Sequence, residues 1–532
     1  MKKSPLIFWA VTSALAGFLF GFDTVVISGA EKQIQNLWSL SGTMHGWALS
    51  AALWGTVIGS LIGGFPTAKF GRKKTLISIG ILYLVSAIGS ALANDVYTFM
   101  FARLVGGLGV GISTVAAPLF IAEIAPAKDR GKLAGMFQFN IVFGILVAYF
   151  SNYLIGSLIT DASAWRWMLG VEALPALFYA VMTFALPESP RWLITHANKR
   201  EEGASVFRRI NPEMTDIEIE TLVNEVEDTI DKKEKKSRFW SKRLSIPIAL
   251  AFLIAFFNQL SGINIILYFA PRLLDLAGIS DTLAASISLG VTNLIFTFVG
   301  LWLIDKLGRR MLLYIGSFGY IISLGIIAVT FLSISEFKVV SSAIDLVGSS
   351  SQVIQVENKI GYRTAIDEQN IFNDFEVAKK ALVAASGRKG YDGDKIVIPQ
   401  NVSTQNVKVI AEKAKMDASG LLGGTSWIVL ICIIAFIAAH AVGQGAVIWV
   451  FISEIFPNDH RAAGQSLGSF THWIFAAILT FLFPVAIKNF DAGYIFAFFC
   501  IMMVLQLVWV KFMVPETKGS SLEEIERKLG TS

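Results

Sequence analysis

Cysteine, charge and enzyme signatures are all scarce in this chain. Only Cys432 and Cys500 occur in 532 residues, each inside an apolar run. Neither a disulfide framework nor a zinc site is implied, and both read as small core residues. Charged residues make up 16% of the chain, against about 25% in an average soluble protein. No dinucleotide fingerprint, phosphate-binding loop or Gly-x-Ser-x-Gly elbow is present, so ATP-driven pumping has no support. No paired carboxylates or nucleophile constellation point to an enzyme. No cofactor, metal or nucleic-acid partner is expected.

What is abundant is apolar residues, at 54%, with a mean hydropathy of +0.60. Spans of about 20 residues suffice to cross a bilayer. Runs of that order lie at 6–29, 46–68, 75–93, 97–125, 132–156 and 166–186, then at 246–273, 283–304, 311–334, 424–453, 460–487 and 491–514. The first run follows Met1-Lys2-Lys3 and could pass for a secretory signal. It continues through Gly17 and Asp23 to Gly29 and reads better as a full span. The pattern predicts an all-α membrane protein with 12 transmembrane helices in two six-helix halves. The expected divisions are 1–189 for the first half, 190–245 for a helical linker and 246–334 for helices seven to nine. An insertion at 335–423, helices ten to twelve at 424–514 and a tail at 515–532 complete them.

The halves repeat one another. Gly71-Arg72-Lys73-Lys74 follows the second span and Gly308-Arg309-Arg310 the eighth. Glu123-Ile124-Ala125-Pro126 with Arg130 closes the fourth, and Glu454-Ile455-Phe456-Pro457 with Arg461 the tenth. Pro187-Glu188-Ser189 closes the sixth and Pro515-Glu516-Thr517 the twelfth. The spacing from Glu123 to Pro187 is 64 residues and from Glu454 to Pro515 is 61. Three marks in one order are the signature of an internal repeat. The basic clusters share one parity, which predicts that those loops and both termini are cytoplasmic. The insertion between helices nine and ten is then external. It is polar, with a helical run from Asn370 to Ser386, and reads as a small cap. Asn401-Val402-Ser403 is a formal glycosylation acceptor.

Polar residues inside the spans mark the candidate site. Asn258, Gln259, Asn264 and Tyr268 sit in one apolar run, where an unsatisfied polar group costs several kcal/mol. On a continuous helix Gln259 and Asn264 stand roughly 140° apart, while Leu260, Asn264 and Tyr268 share a face. Gly262 is a soft point where that helix can bend. Neutral amides and a phenol suit an uncharged ligand rich in hydroxyls; the alternative is that they glue helices together. Asp23 lies near the middle of the first span, where an ionised carboxylate costs about 2.5–3.5 kcal/mol. Arg103 is its candidate partner. Such an acid can alternate between a paired anion and a neutral acid, which would tie a proton to a shape change. The alternative is a fixed structural pair.

With these motifs, together with Pro187-Glu188-Ser189-Pro190-Arg191-Trp192-Leu193, Gln259-Leu260-Ser261-Gly262-Ile263-Asn264 and Pro515-Glu516-Thr517-Lys518-Gly519, the chain resembles the sugar porter family of the major facilitator superfamily. The resemblance covers nearly the whole chain outside the insertion. It implies the major facilitator fold and a sugar site between the halves. On it, Gln138, Gln259, Asn264, Tyr268, Asn293, Gly445 and Trp449 match sugar-binding positions. Asn258 stands where relatives carry glutamine, and His472, before Trp473, where they carry Gln or Asn. The resemblance also implies that Asp23 and Arg103 couple a proton. It implies that Arg72, Glu123, Arg130, Glu188, Arg191, Arg309, Glu454 and Arg461 form cytoplasmic salt bridges that hold the outward-facing state. The expected function is proton-coupled symport of a monosaccharide by a monomer in a lipid bilayer, the expected one being a bacterial inner membrane. A facilitative sugar uniporter is the alternative. A transporter-like sensor is disfavoured by the short tail.

Overall fold

The computed structural model describes residues 5–126, 130–231, 238–357, 365–386, 404–457 and 460–519, with Glu524, Ile525, Arg527 and Leu529. Lys128 and the Asn401-Val402-Ser403 acceptor lie outside the described residues, as do the side chains of Arg130 and Lys132. Among the described residues the regular structure is helical throughout. The first half comprises α1 (Leu6–Leu37), α2 (Gly42–Ile62), the short α3 (Gly64–Lys69), α4 (Arg72–Leu92), α5 (Val96–Ile124) and α6 (Arg130–Leu158). It ends with α7 (Ala164–Gly170) and α8 (Ala173–Phe184), two pieces of the run read as one span at 166–186.

Eleven of the described helical stretches are long and apolar enough to cross a membrane. The helix α2 is not among them, because His45 and its many small residues dilute its hydropathy. Those small residues instead let other backbones come close. Gly55 and Gly59 of α2 sit against the carbonyls of Leu104 and Leu108 in α5, and Gly46 against that of Phe481. Close approach through small residues is how membrane helices pack in the absence of a hydrophobic driving force. The first helix runs to Leu37, well past the expected end at 29. Glu31, Lys32 and Gln35 extend it because each finds a partner there.

The linker forms α9 (Pro190–Thr195), α10 (Arg200–Ile210) and α11 (Asp216–Asp231). Their apolar faces bury Phe207, Ile210, Ile219 and Val223 together, as the amphipathic spacing predicts. The second half begins with α12 (Ser245–Leu260), α13 (Ile263–Tyr268) and α14 (Ala270–Leu276), followed by α15 (Thr282–Leu307) and α16 (Arg309–Ser333). Three helices then make up the insertion: α17 (Glu336–Glu357), α18 (Ala365–Ser386) and α19 (Thr404–Leu422). The sequence singled out one helix there; α17 and α19 read as polar chain because their apolar residues are used against each other and against α1 and α14. The second half closes with α20 (Thr425–His440), a π-helical turn at Ala441–Gly445, α21 (Ala446–Ile455), α22 (Arg461–Asn489) and α23 (Ala492–Met513).

The two halves meet along α2 with α22 and α6 with α15. Gly46 and Trp47 contact Phe481, and Gly290 sits on Leu146. Among the described residues, direct polar links between the halves join α6 to α13, where the Tyr149 hydroxyl donates to the Leu267 carbonyl at 2.9 Å, and also lie on the face away from the basic loops. There α1 and α14 are joined by Lys32 with Asp275 and Glu31 with Arg272. On the basic face, the ion pairs Arg72–Glu123 and Arg309–Glu454 each stay inside one half. The halves are therefore sealed on the face opposite the basic loops.

Candidate functional site

The site is built on a break in the seventh span. Gly262 adopts φ +87°, a left-handed conformation, and separates α12 from α13. A Cβ there would also meet the Phe499 ring at 2.7 Å. Glycine meets both demands at no steric cost. The helix breaks at the soft point marked in the sequence, and the separation expected on a continuous helix is corrected. The break rotates Asn264 toward Gln259 instead of leaving it roughly 140° away, and the Asn264 Nδ2 donates to Gln259 Oε1 at 2.7 Å. Gln259 Nε2 donates to Asn258 Oδ1 at 2.9 Å and lies 3.1 Å from a ring nitrogen of His472. The His472 ring is 5.4 Å from that of Trp449 and 4.7 Å from that of Trp473.

Five candidate residues from three spans thus form one connected group: Asn258, Gln259, Asn264, His472 and Trp449. Trp449 follows the π-helical turn that ends at Gly445. Such turns recur at functional sites because they re-aim the side chains that follow. A Cβ on Gly445 would lie 3.0 Å from the His440 carbonyl, so the turn needs a small residue. His440 itself shares a hydrogen bond of 2.7 Å with the Tyr320 hydroxyl. Tyr268 is 2% exposed on α13. Gln138 on α6 and Asn293 on α15 are not joined to this group by a hydrogen bond among the described residues. They lie on the pair of helices that packs across the seam beside it.

Asp23 and Arg103 come together as the sequence suggests. Arg103 Nη1 donates to Asp23 Oδ1 at 2.5 Å and Nη2 to the Asp23 carbonyl at 3.1 Å, with side chains 2% and 3% exposed. Glu172, at the head of α8, stands beside this pair and was missed in the sequence. Its only signal was a lone carboxylate in the apolar run at 166–186. Tyr268 is within electrostatic reach of Asp23 and Arg103, which places the ion pair next to the broken helix. Also missed were Glu31, Lys32 and Asp275, just past the expected ends of spans one and seven, and Arg272, in the last turn of span seven.

The basic-face motifs show why Gly-Arg recurs. Gly71 and Gly308 have φ +93° and +92°, each just before a helix. Glu188 accepts from the backbone N–H groups of Arg72 at 2.7 Å and Lys73 at 3.1 Å. Glu516 does the same for Arg309 and Arg310, both at 3.0 Å. Each carboxylate caps a helix N-terminus, where orphan N–H groups and the helix dipole favour an anion. Burial pushes the Glu188 carboxyl above its ordinary range, against the pull of those N–H groups and of Arg72. The arginine side chains fork onto the other acid of the motif. Arg72 meets Glu123 at 2.8 and 2.7 Å, and Arg309 meets Glu454 at 3.1 and 2.7 Å. Arg191 is exposed on α9, and the Nε of Arg461 is buried with no partner among the described residues.

Two halves meeting across a buried polar cluster have the plan of a secondary transporter. Comparison with known proteins gives the family. The family model described as "Sugar (and other) transporter" matches residues 9–347 and 409–529, so the chain belongs to that family. The arabinose-proton symporter of Bacillus subtilis is 30% identical over 97% of this chain and 93% of its own length. The D-xylose-proton symporter of Escherichia coli K12 is 28% identical over 97% and 94%. The inward open conformation of the xylose transporter XylE from Escherichia coli superposes with a TM-score of 0.72 at 26% identity, covering 98% of this chain and 99% of that one. The fold is that of the major facilitator superfamily. The unmatched stretch between 347 and 409 falls within the three-helix insertion.

Proposed function

We propose that this protein carries a monosaccharide, a hexose or pentose, together with a proton by alternating access. The observation that carries the reading is the buried Asp23–Arg103 pair, set beside the broken helix that presents Gln259 and Asn264. Amides both donate and accept, so they can serve either role of a sugar hydroxyl, and the Trp449 indole can cover the apolar face of a sugar ring. In this reading Gln138, Asn258, Asn293, Gly445 and His472 complete the sugar site from the other helices. Asp23 releases Arg103 when it takes a proton, and the halves then rearrange. Arg72, Glu123, Arg130, Glu188, Arg191, Arg309, Glu454 and Arg461 set the balance of states on the basic face. The relatives named as arabinose-proton and xylose-proton symporters support proton coupling. The excess of Lys and Arg on one face supports both termini being cytoplasmic, and the bacterial relatives support a bacterial inner membrane. We read the protein as acting as a monomer.

One proton moving inward through 100 mV releases about 2.3 kcal/mol, enough for more than tenfold accumulation. Uptake of labelled monosaccharides into proteoliposomes, with and without an inward proton gradient, tests this. Wild type is expected to accumulate one sugar above equilibrium only with the gradient, and Asp23→Asn to equilibrate or exchange it without accumulation. A gradient-independent wild type would favour a uniporter. One observation points that way: Arg103 also holds the Asp23 backbone carbonyl, as a fixed structural pair would.

A further inference from the structure

On the face away from the basic loops, two ion pairs cross the seam between the halves. Lys32 of α1 holds Asp275 of α14, and Glu31 of α1 takes Arg272 of α14 in a fork of 2.9 and 2.8 Å, with Gln35 accepting from the same guanidinium. Both pairs must part if this face opens. The side chains of Glu31 and Asp275 are only 1% and 6% exposed. A buried ion stripped of its only partner is strongly unfavourable.

One of the two buried anions has a second ion partner within its own half. Glu31 has only the Nε2 of His45 near it in the first half, at 3.3 Å and without a hydrogen bond. Asp275 forms a second ion pair, 2.7 Å from the Nζ of Lys415 on α19. A short turn joins α19 to α20, so Lys415 travels with the second half. Arg272 is flanked by α17, which packs on α14. The insertion therefore offers the gate carboxylate Asp275 a base of the same sign as Lys32. Lys32 itself is 33% exposed and can return to water.

We propose that the inserted bundle supplies a stand-in counter-ion for the gate helix, with Lys415 holding Asp275 when Lys32 leaves, and so eases opening of this face. In the closed state Asp275 has two cations and the loss of one leaves the other. In the open state Lys415 is its sole partner. Removing Lys415 therefore costs more in the open state and shifts the carrier toward closure. Lys415 acts through Asp275 and is a positioning residue for the conformational step. A bundle that merely strapped the seam shut would have the opposite effect when loosened.

The inference rests on the alternating-access reading, and its test needs no substrate. Ser28 is 2% exposed in this closed face and lies one helical turn below Glu31 on the same side of α1. A Ser28→Cys thiol, in a background with Cys432→Ala and Cys500→Ala, is timed in its reaction with a maleimide on purified protein in detergent. Lys415→Gln is expected to slow labelling about fivefold, the lower end of typical coupling between sites. Lys32→Gln is expected to speed it, and Lys415→Arg to keep the parent rate. Unchanged or faster labelling in Lys415→Gln overturns the proposal. Size-exclusion elution checks folding, and if Lys415→Gln elutes as aggregate, Lys415→Met is read by the same criteria. Sugar uptake by the parent protein is measured in parallel. Its absence would sink the sugar reading while leaving the labelling result to stand or fall alone.

Discussion

At the residue scale, one backbone angle makes the candidate site. Gly262 sits at φ +87° with the Phe499 ring where a side chain would go. Without that turn, Gln259 and Asn264 could not share a hydrogen bond. Alanine at a positive φ destabilises by more than about 1 kcal/mol, and here the ring must shift as well. Gly262→Ala is therefore expected to lower the melting temperature and to weaken sugar binding together. A thermal-shift assay with and without sugar reads both effects; wild-type values in both would mean that the break does not organise the site. Asp23 and Arg103 belong to the same scale. Neither is satisfied by its own helix, and each is buried against the other.

At the scale of the element, helix starts on the basic face are set by acids from distant parts of the chain. Glu188 caps α4 and Glu516 caps α16, each through two backbone N–H groups. Loss of a side-chain cap costs about 0.5–2 kcal/mol. Glu516→Ala is expected to fall in that range as a drop in thermal stability, and Glu516→Gln, which still accepts hydrogen bonds, to lose less. Equal losses in the two variants would show that the negative charge, and not the hydrogen bonds, carries the effect. The insertion shows the element scale from the other direction. Its helices have little apolar surface apiece, yet α17 and α19 bury Val340, Ala343, Ala411 and Ala418 within the large core that runs through both halves.

At the scale of the whole molecule, the halves are closed on the face away from the basic loops by close backbone approach as well as by charge. A Cβ on Gly46 would lie 2.1 Å from the Phe481 carbonyl of the other half. Backbone cannot give way as a side chain can, so a large residue there must hold the halves apart. Gly46→Leu is expected to abolish net uptake while sugar binding to the purified protein persists. Binding by calorimetry and uptake in proteoliposomes separate the two. Uptake at the wild-type rate would show that closure of this face is not needed for transport.

The class of protein, the apolar spans and the repeated motifs were legible in the residues alone, as were Asn258, Gln259, Asn264 and His472, which the fold brings together. Those follow from local facts. Apolar runs of fixed length must be helices in a bilayer, because every backbone group has to be paired within the segment. The Gly-Arg and Glu-x-x-Pro marks are short motifs whose order survives in both halves. What only the tertiary structure decided depends on neighbours far apart in the chain. The union of Gln259 with Asn264 and His472 needed the left-handed turn at Gly262. The placing of Glu172 beside Asp23, the caps from Glu188 and Glu516, and the second partner that Lys415 gives Asp275 all join residues more than 65 positions apart. A buried charge shows in the sequence as an anomaly, but its partner is chosen by packing, and packing is a property of the folded chain.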